Sequence, residues 1–505
     1  MVFWGIFLVL LLACFRGPLT FLMGNLATVA VAFPVFLLAL LIDWPKALHQ
    51  IRRPEIWIAL CLIVWTAIKI PFSDSLVRGS LGFGHLAFPI VAFLIFLALM
   101  SSANLRPRSY FKIALGISAV LAAGVAVEVV FDQPLSTLLQ HSVPQDVAEM
   151  FAPFRVGSFI GASLPFGVVI SLLLPFVIVA ALRQPNVWTY ALLVSFVPMI
   201  LATYGRGAML QSAIAALAAI VLLAINRYST PANERVRFPR LPVWQAASAA
   251  ALVIAALPFA YNAVPNSISD RFESGLSTAC GIASFGRLCI EIPVTSQAEA
   301  RADGPDISQA ESQSGRPDIP QAQAGDVCDV VLSVRERRGD DFDADAVYDR
   351  CLQGAASGLD VSSIGRFEVY NAIFAYQDTW TKRIFGGSLM ASGNFVKNFG
   401  FDYLIPGVEA SESYYLKLYS EVGLVGAVLF VALLLTAIVR PVIRAFTLPK
   451  DQWTFAGLAS AAALAGISLE MAFLQSLENP VVALVFGWVL AIAVFSAKSP
   501  TEEHN

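Results

Sequence analysis

Charge is what this sequence has least of: 14% of its residues are Asp, Glu, Lys or Arg, against about a quarter in soluble domains. With 57% hydrophobic residues and a mean hydropathy of +0.70, that shortage excludes a water-soluble globular chain and leaves a polytopic membrane protein. Histidine is almost missing. The four that occur, His49, His85, His141 and His504, are scattered, which excludes a histidine-built metal centre. No glycine-rich phosphate loop lies between a strand and a helix, so nucleotide-sugar chemistry is excluded as well. Basic residues form no nucleic-acid surface, and no nucleic acid is expected as a partner. Met1 to Cys14 has neither a basic leading segment nor a small-residue cleavage site, so it is expected to remain as an uncleaved apolar span.

What the chain does have is apolar runs. Twelve of them approach the roughly 20 residues a helix needs to cross a bilayer: 1–15, 19–42, 54–71, 82–102, 112–131, 158–182, 187–204, 207–225, 243–263, 419–439, 453–475 and 479–497. The expectation is an all-α polytopic membrane protein. Lys and Arg in short loops set orientation. Alternate connections carry Lys46, Arg52 and Arg53; Arg106, Arg108 and Lys112; Arg183; Arg227, Arg235, Arg237 and Arg240; and Arg440, Arg444 and Lys450. These, with both termini, are assigned to the cytoplasm. The other connections face outward, among them 72–81, 132–157, the turn at 204–207 and one very long loop. The resulting organisation is helices over 1–263, a large outer loop over 264–411, helices over 412–497 and a cytoplasmic tail over 498–505.

A loop of that length is a functional lid or is partly disordered. Residues 292–326, rich in Gln, Ala, Ser, Asp, Gly and Pro, cannot bury enough surface to offset the entropy of ordering and are expected to be disordered. The flanks 329–351 and 362–382 have helical periodicity, the second with Phe367, Tyr370, Ile373, Phe374 and Trp380 on one face. Of six cysteines, Cys14 and Cys61 fall in apolar runs, while Cys280, Cys289, Cys328 and Cys351 fall in the loop. An outer compartment favours disulfides there. Cys280 with Cys289 and Cys328 with Cys351 is one of three possible connectivities, and the spacings are not those of zinc ligands.

Ionisable groups at membrane depth are functional candidates because they are costly to place. Arg206 stands between Gly205 and Gly207 where a span begins, suited to a phosphate that would meet both guanidinium and free helix N–H groups. The alternative is an interfacial arginine reaching lipid headgroups. Arg366 follows a glycine near the start of a loop helix. In S-E-S-Y-Y-L-K-L-Y-S-E, Lys417 and Glu421 are four apart and pair on a helix face, which makes Glu421 structural. Glu412 has no such neighbour. It is either a general base at the membrane threshold or a solvated carboxylate at a helix N-terminus.

Together these pieces are similar to the O-antigen ligase and O-antigen or exopolysaccharide polymerase superfamily of bacterial inner-membrane proteins. The matching elements are Y-G-R-G-A-M-L at 204–210, E-S-Y-Y-L at 412–416 and E-V-G-L-V-G at 421–426. Between them lie G-R-F-E-V-Y-N-A-I-F at 365–374 and R-I-F-G-G-S-L-M-A-S-G at 383–393, and before them F-R-V-G-S-F-I-G-A-S-L-P at 154–165. The resemblance implies a GT-C-type architecture in the inner membrane. It implies a metal-independent, cofactor-free glycosyltransferase that takes undecaprenyl-pyrophosphate-linked glycans at the periplasmic face, with inversion at the anomeric carbon. By the same resemblance Arg206 and Arg366 clamp the donor pyrophosphate and Glu412 serves as base, with Arg155, Arg383, Tyr414 and Tyr415 binding substrate. Tyrosine pairs of this kind also commonly pack in helix cores. Partners would be membrane lipids, a chain-length regulator and export components.

The family's ligases carry His-Asn where this chain has Glu412 and Ser413, which tilts the expectation to a polymerase of lipid-linked repeat units. The alternative is ligase-type transfer of finished glycan to lipid A core or another acceptor. A transporter of lipid-linked sugars is a third reading. Carriers show two related halves and charges near the midplane; no repeat is visible here, and Glu128 and Glu470 are the ionisable groups in or near spans that would fit one.

Overall fold

The computed structural model describes residues 1–23, 26–48, 52–103, 105–131, 157–183, 186–203, 206–228, 373–374, 377–390, 413–447, 452–474 and 476–497. All of these belong to one compact unit. Among them there is no strand. The chain begins with α1 (Val2–Cys14), α2 (Arg16–Met23), α3 (Leu26–Leu38), α4 (Trp44–Leu48), α5 (Pro54–Ile68), α6 (Leu76–Ala103) and α7 (Pro107–Phe131). It continues with α8 (Ser163–Arg183), α9 (Val187–Ala202), α10 (Arg206–Tyr228), α11 (Trp380–Phe385), α12 (Tyr414–Thr447), α13 (Gln452–Glu470) and α14 (Pro480–Ser496).

Eleven of the twelve expected runs fall on these helices; the twelfth, 243–263, lies outside the described residues. Among the described residues seven helices are long and apolar enough to cross a membrane, and α1, α3 with its following turn, α9 and α14 are shorter apolar helices. The second run falls on α2 and α3. The helix expected to continue through Lys382 is interrupted. α11 starts afresh at Trp380, where the Thr379 side chain accepts the Lys382 N–H as an N-cap.

The middle of the bundle is built from helices that are apolar on every side, as a fully surrounded helix must be. α14 is buried from Pro480 through Val494, and α8 from Phe166 through Ala181. The alanines of α13 let neighbours approach closely: Gly466 faces Ala215 of α10, and Gly487 of α14 faces the α6 backbone at Phe93. The peripheral helices are apolar outside as well. α12 exposes Leu424, Val428, Val431, Leu435, Val439 and Ile443, one stripe at helical spacing, a surface suited to acyl chains and too apolar for water.

Polar contacts tie the helix ends together in two sets. At one end Arg53 donates to the Val494 carbonyl at 2.6 Å, Arg440 pairs with the fully buried Glu55, Arg444 donates to the Ser496 carbonyl, and Arg183 lies 3.9 Å over Phe455. At the other end Trp65, Gly82, Gly207, Gly386, Ser413 and the turn after α13 meet. Arg53, Arg183, Arg440 and Arg444, from connections rich in Lys and Arg, thus make their contacts at the first of these ends, and the start of α10 lies at the second.

That second end is organised by a break in α12. Gly423 has φ 72° and ψ −173°, a region essentially reserved for glycine. Gly386, with φ 82°, lies back to back with it, and a Cβ on either residue would overlap the other's backbone. Such a break frees carbonyls that must find other donors inside a membrane protein. They do: Gly387 N–H donates to Ser420 O at 2.7 Å, Gln377 Nε2 to the same oxygen at 3.0 Å, and Trp65 Nε1 to Val422 O at 2.8 Å. Gly423→Ala and Gly386→Ala are each expected to lower stability by at least about 1–3 kcal/mol from backbone strain alone. Gly84→Ala, whose added Cβ meets nothing within 4 Å, should be neutral. Thermal unfolding of the detergent-solubilised protein reads the contrast.

Candidate functional site

The segment that opens α12 enters the bundle by bonding to the turn between α13 and α14. Tyr414 N–H donates to Met471 O at 2.9 Å, and Ser413 Oγ donates to the same carbonyl at 3.3 Å. Tyr415 Oη donates to Ser468 O at 2.8 Å. The opening of α10 reaches the same place. A Cβ on Gly207 would stand 2.9 Å from Leu474 Cδ1 and 3.7 Å from Glu470 Cγ. The residue following Arg206 and the residue following Glu412 thus pack on one short stretch, 470–474.

Of the expected site residues, Arg206 is described only as the first residue of α10. Arg155, Arg366 and Glu412 lie outside the described residues. So do Cys280, Cys289, Cys328 and Cys351, the flank 329–351, the low-complexity segment 292–326 and the tail 498–505. Tyr414 is 1% exposed with its ring 5.3 Å from that of Phe430, a core position, whereas Tyr415 is half-buried beside the same ring. Arg383 is exposed on α11, its Nε donating to Gln377 O at 2.7 Å and its guanidinium 5.8 Å from the Trp380 ring. Nearby, Lys382 sits 3.0 Å from Asp378 and holds that carboxyl below its ordinary pKa.

The Lys417–Glu421 pair forms, at 3.5 Å, and both side chains are buried. It has a third member that the i,i+4 spacing does not contain: Glu478, from the turn before α14, also pairs with Lys417 Nζ. One ammonium therefore joins two carboxyl groups from different helices. In S-L-E-N-P, Asn479 and Pro480 mark a helix start, and alternating spans put that start at the same end as Glu421, but the sequence does not pair Glu478 with Lys417.

Two further groups at this end have no sequence-level counterpart among the expected site residues. Lys69, buried at the end of α5, directs Nζ to the Gly386 carbonyl at 3.3 Å. Glu470 accepts the Ser476 hydroxyl on one carboxyl oxygen; its other oxygen is buried and has no hydrogen-bond partner among the described residues. A buried carboxyl oxygen without a donor is costly unless something meets it. Glu128, by contrast, is spent on the backbone. Its Oε2 accepts from Gly157 N at 3.2 Å and Ser158 N at 2.8 Å, fixing the turn that leads into α8.

The Gly386–Gly423 junction joins the glycine-rich element at 383–393 to the E-V-G-L-V-G element, and the 470–474 stretch joins the start of α10 to the start of α12. Sequence motifs scattered over more than two hundred positions thereby share one end of the bundle. Among the described residues, no group of His, Cys, Asp and Glu is arranged to hold a metal ion. This end thus gathers buried lysines, each engaged by carboxyl or carbonyl oxygens, a glycine junction, and the Glu470 carboxyl with one oxygen lacking a hydrogen-bond partner among the described residues. Compared with known proteins, the chain matches no family model, and no curated protein matches it.

Removing the central cation of the triad leaves the buried Glu421 carboxyl facing the partly buried Glu478 carboxyl. Lys417→Met is expected to destabilise by about 3–5 kcal/mol. The triple replacement Lys417→Met, Glu421→Gln, Glu478→Gln should cost less than half of that, because it leaves no orphaned charge. Denaturation midpoints in detergent measure both.

Proposed function

We propose that the chain is an integral-membrane glycosyltransferase, a polymerase that joins undecaprenyl-pyrophosphate-linked repeat units into a surface or secreted polysaccharide on the periplasmic side of a bacterial inner membrane. The observation that carries this reading is the packing of Gly207 and Ser413, the neighbours of Arg206 and Glu412, on one turn at one end of the bundle. It supports a single site drawing on distant motifs.

In this reading the donor's pyrophosphate is held by Arg206 and Arg366, whose guanidinium forks match phosphate oxygens bidentately. The acceptor hydroxyl oxygen attacks the anomeric carbon as the bond from that carbon to the pyrophosphate oxygen breaks. The electron pair leaves with the phosphate, where the arginines stabilise the growing charge, and the hydroxyl proton passes to Glu412. Nothing in this step requires a metal ion. Glu412 at the position of the ligases' histidine favours polymerisation over ligation, since a carboxylate retains the role of base while the departure separates the chain from the ligase pattern.

Two outcomes test the proposal. In a strain lacking the gene, single lipid-linked repeat units should accumulate; accumulation of long lipid-linked polymer would instead identify a ligase. Complementation with Arg206→Ala, Arg366→Ala or Glu412→Ala should lower polymer formation by about 10²–10³-fold while leaving membrane levels of the protein unchanged. Normal chain length from the Arg206→Ala/Arg366→Ala double variant sinks the assignment. Glu470→Gln, which preserves volume and removes an ionisable buried oxygen beside Gly207, should reduce polymer yield with little loss of protein.

A further inference from the structure

The opposite end of the bundle carries a second polar feature that the transferase reading does not use. Between α7, α8 and α9 lies a cavity of about 410 Å³, bordered by Arg108, Lys112 and Arg183. No carboxylate is among the described residues that line it. Its apolar wall is formed by Phe111, Leu115 and Val179. Arg108 and Lys112 are exposed, and Arg183 is held half-buried against the Phe455 ring.

Arg108 and Lys112, one turn apart on α7, place two exposed like charges on the rim of the cavity, a repulsion that an anion lying between them relieves. The α9 N-terminus adds partial positive charge to the same rim, with Asn186 closing the helix through a capping box. Trp188, in the first turn of α9, is 83% exposed, an amphipathic ring of the kind that settles at headgroup depth. A cationic rim over an apolar wall matches a molecule that is anionic at one end and hydrocarbon at the other. A free phosphate would use the rim and leave the wall unfilled.

We infer that this cavity binds the phosphate headgroup of an anionic phospholipid from the adjacent leaflet, with Arg108 and Lys112 on the phosphate and Phe111, Leu115 and Val179 against the glycerol and upper acyl chain. Such a lipid would clamp α7, α8 and α9 at the end remote from the glycine junction. Basic pockets between membrane helices are recognised sites for anionic headgroups. The inference is independent of the transferase reading, because it concerns other helix ends and needs no sugar substrate.

The test is native mass spectrometry of the full-length, delipidated protein titrated with phosphatidylglycerol or phosphatidylcholine. Phosphatidylglycerol should bind preferentially, and Arg108→Gln/Lys112→Gln should weaken it about tenfold. Lys46→Gln/Arg78→Gln, which removes the same charge elsewhere, should leave binding unchanged, as should millimolar inorganic phosphate. Equal binding of the two lipids, undiminished binding by Arg108→Gln/Lys112→Gln, an equal loss in the control variant, or displacement by inorganic phosphate would each overturn the proposal.

Discussion

The structure depends on one constraint: a helix broken at membrane depth must hand its freed carbonyls to other donors. α12 is broken at Gly423, and the donors come from three distant parts of the chain. Trp65 belongs to α5, Gln377 to the segment before α11, and Gly387 to the turn after it. Because each donor must be in place for the break to be tolerated, the kink fixes the position of all three segments. The paired glycines permit the approach, and the hydrogen bonds make it specific.

The buried charges extend the same logic to the rest of the bundle. Apolar helices in lipid gain little by sliding past one another, since hydrocarbon contacts are similar in any register. An ion pair or a charged side chain on a backbone carbonyl does not tolerate sliding. Lys417 ties α12 to the turn before α14 at one end, and Arg440 and Arg444 tie α12 to Glu55 of α5 and the end of α14 at the other. α12 is therefore pinned at both ends and bent between them. Glu128 plays the corresponding part for α7, with the backbone of the 157–158 turn as its partner.

Much of the architecture was legible because a bilayer asks a simple question of a sequence. Eleven of the apolar runs fall on helices, and Arg53, Arg440 and Arg444, all from connections rich in Lys and Arg, bond at one end of the bundle. The Lys417–Glu421 pair was legible for a similar reason, being local and set by helical period. What could not be read were contacts that depend on which helices become neighbours. Glu478 completing the triad, Lys69 on Gly386 and Glu470 beside Gly207 each join residues from separate elements. Tyr414 shows the same limit from the other side: composition made it a stacking platform or a core ring, and packing on Phe430 decides for the core. The proposed site was legible in part, through motifs whose chain neighbours meet at 470–474, while Arg155, Arg366 and Glu412 themselves lie outside the described residues.

In the proposed reading, a helix break at the same end of the bundle as the 470–474 turn is an advantage for handling an anionic lipid-linked donor. Unbroken helices present side chains alone, but a break also presents backbone groups and the partial charge of a new helix start. α12 resumes beyond Gly423 while Gly386 brings a second chain segment against it, so this end combines dense backbone polarity with buried Lys69 and Lys417. In the proposed transfer, charge moves from an acceptor hydroxyl to a departing phosphate, and a rigid array of dipoles stabilises that movement without having to reorganise. The hydrogen bonds that make the break tolerable are also what hold that array still.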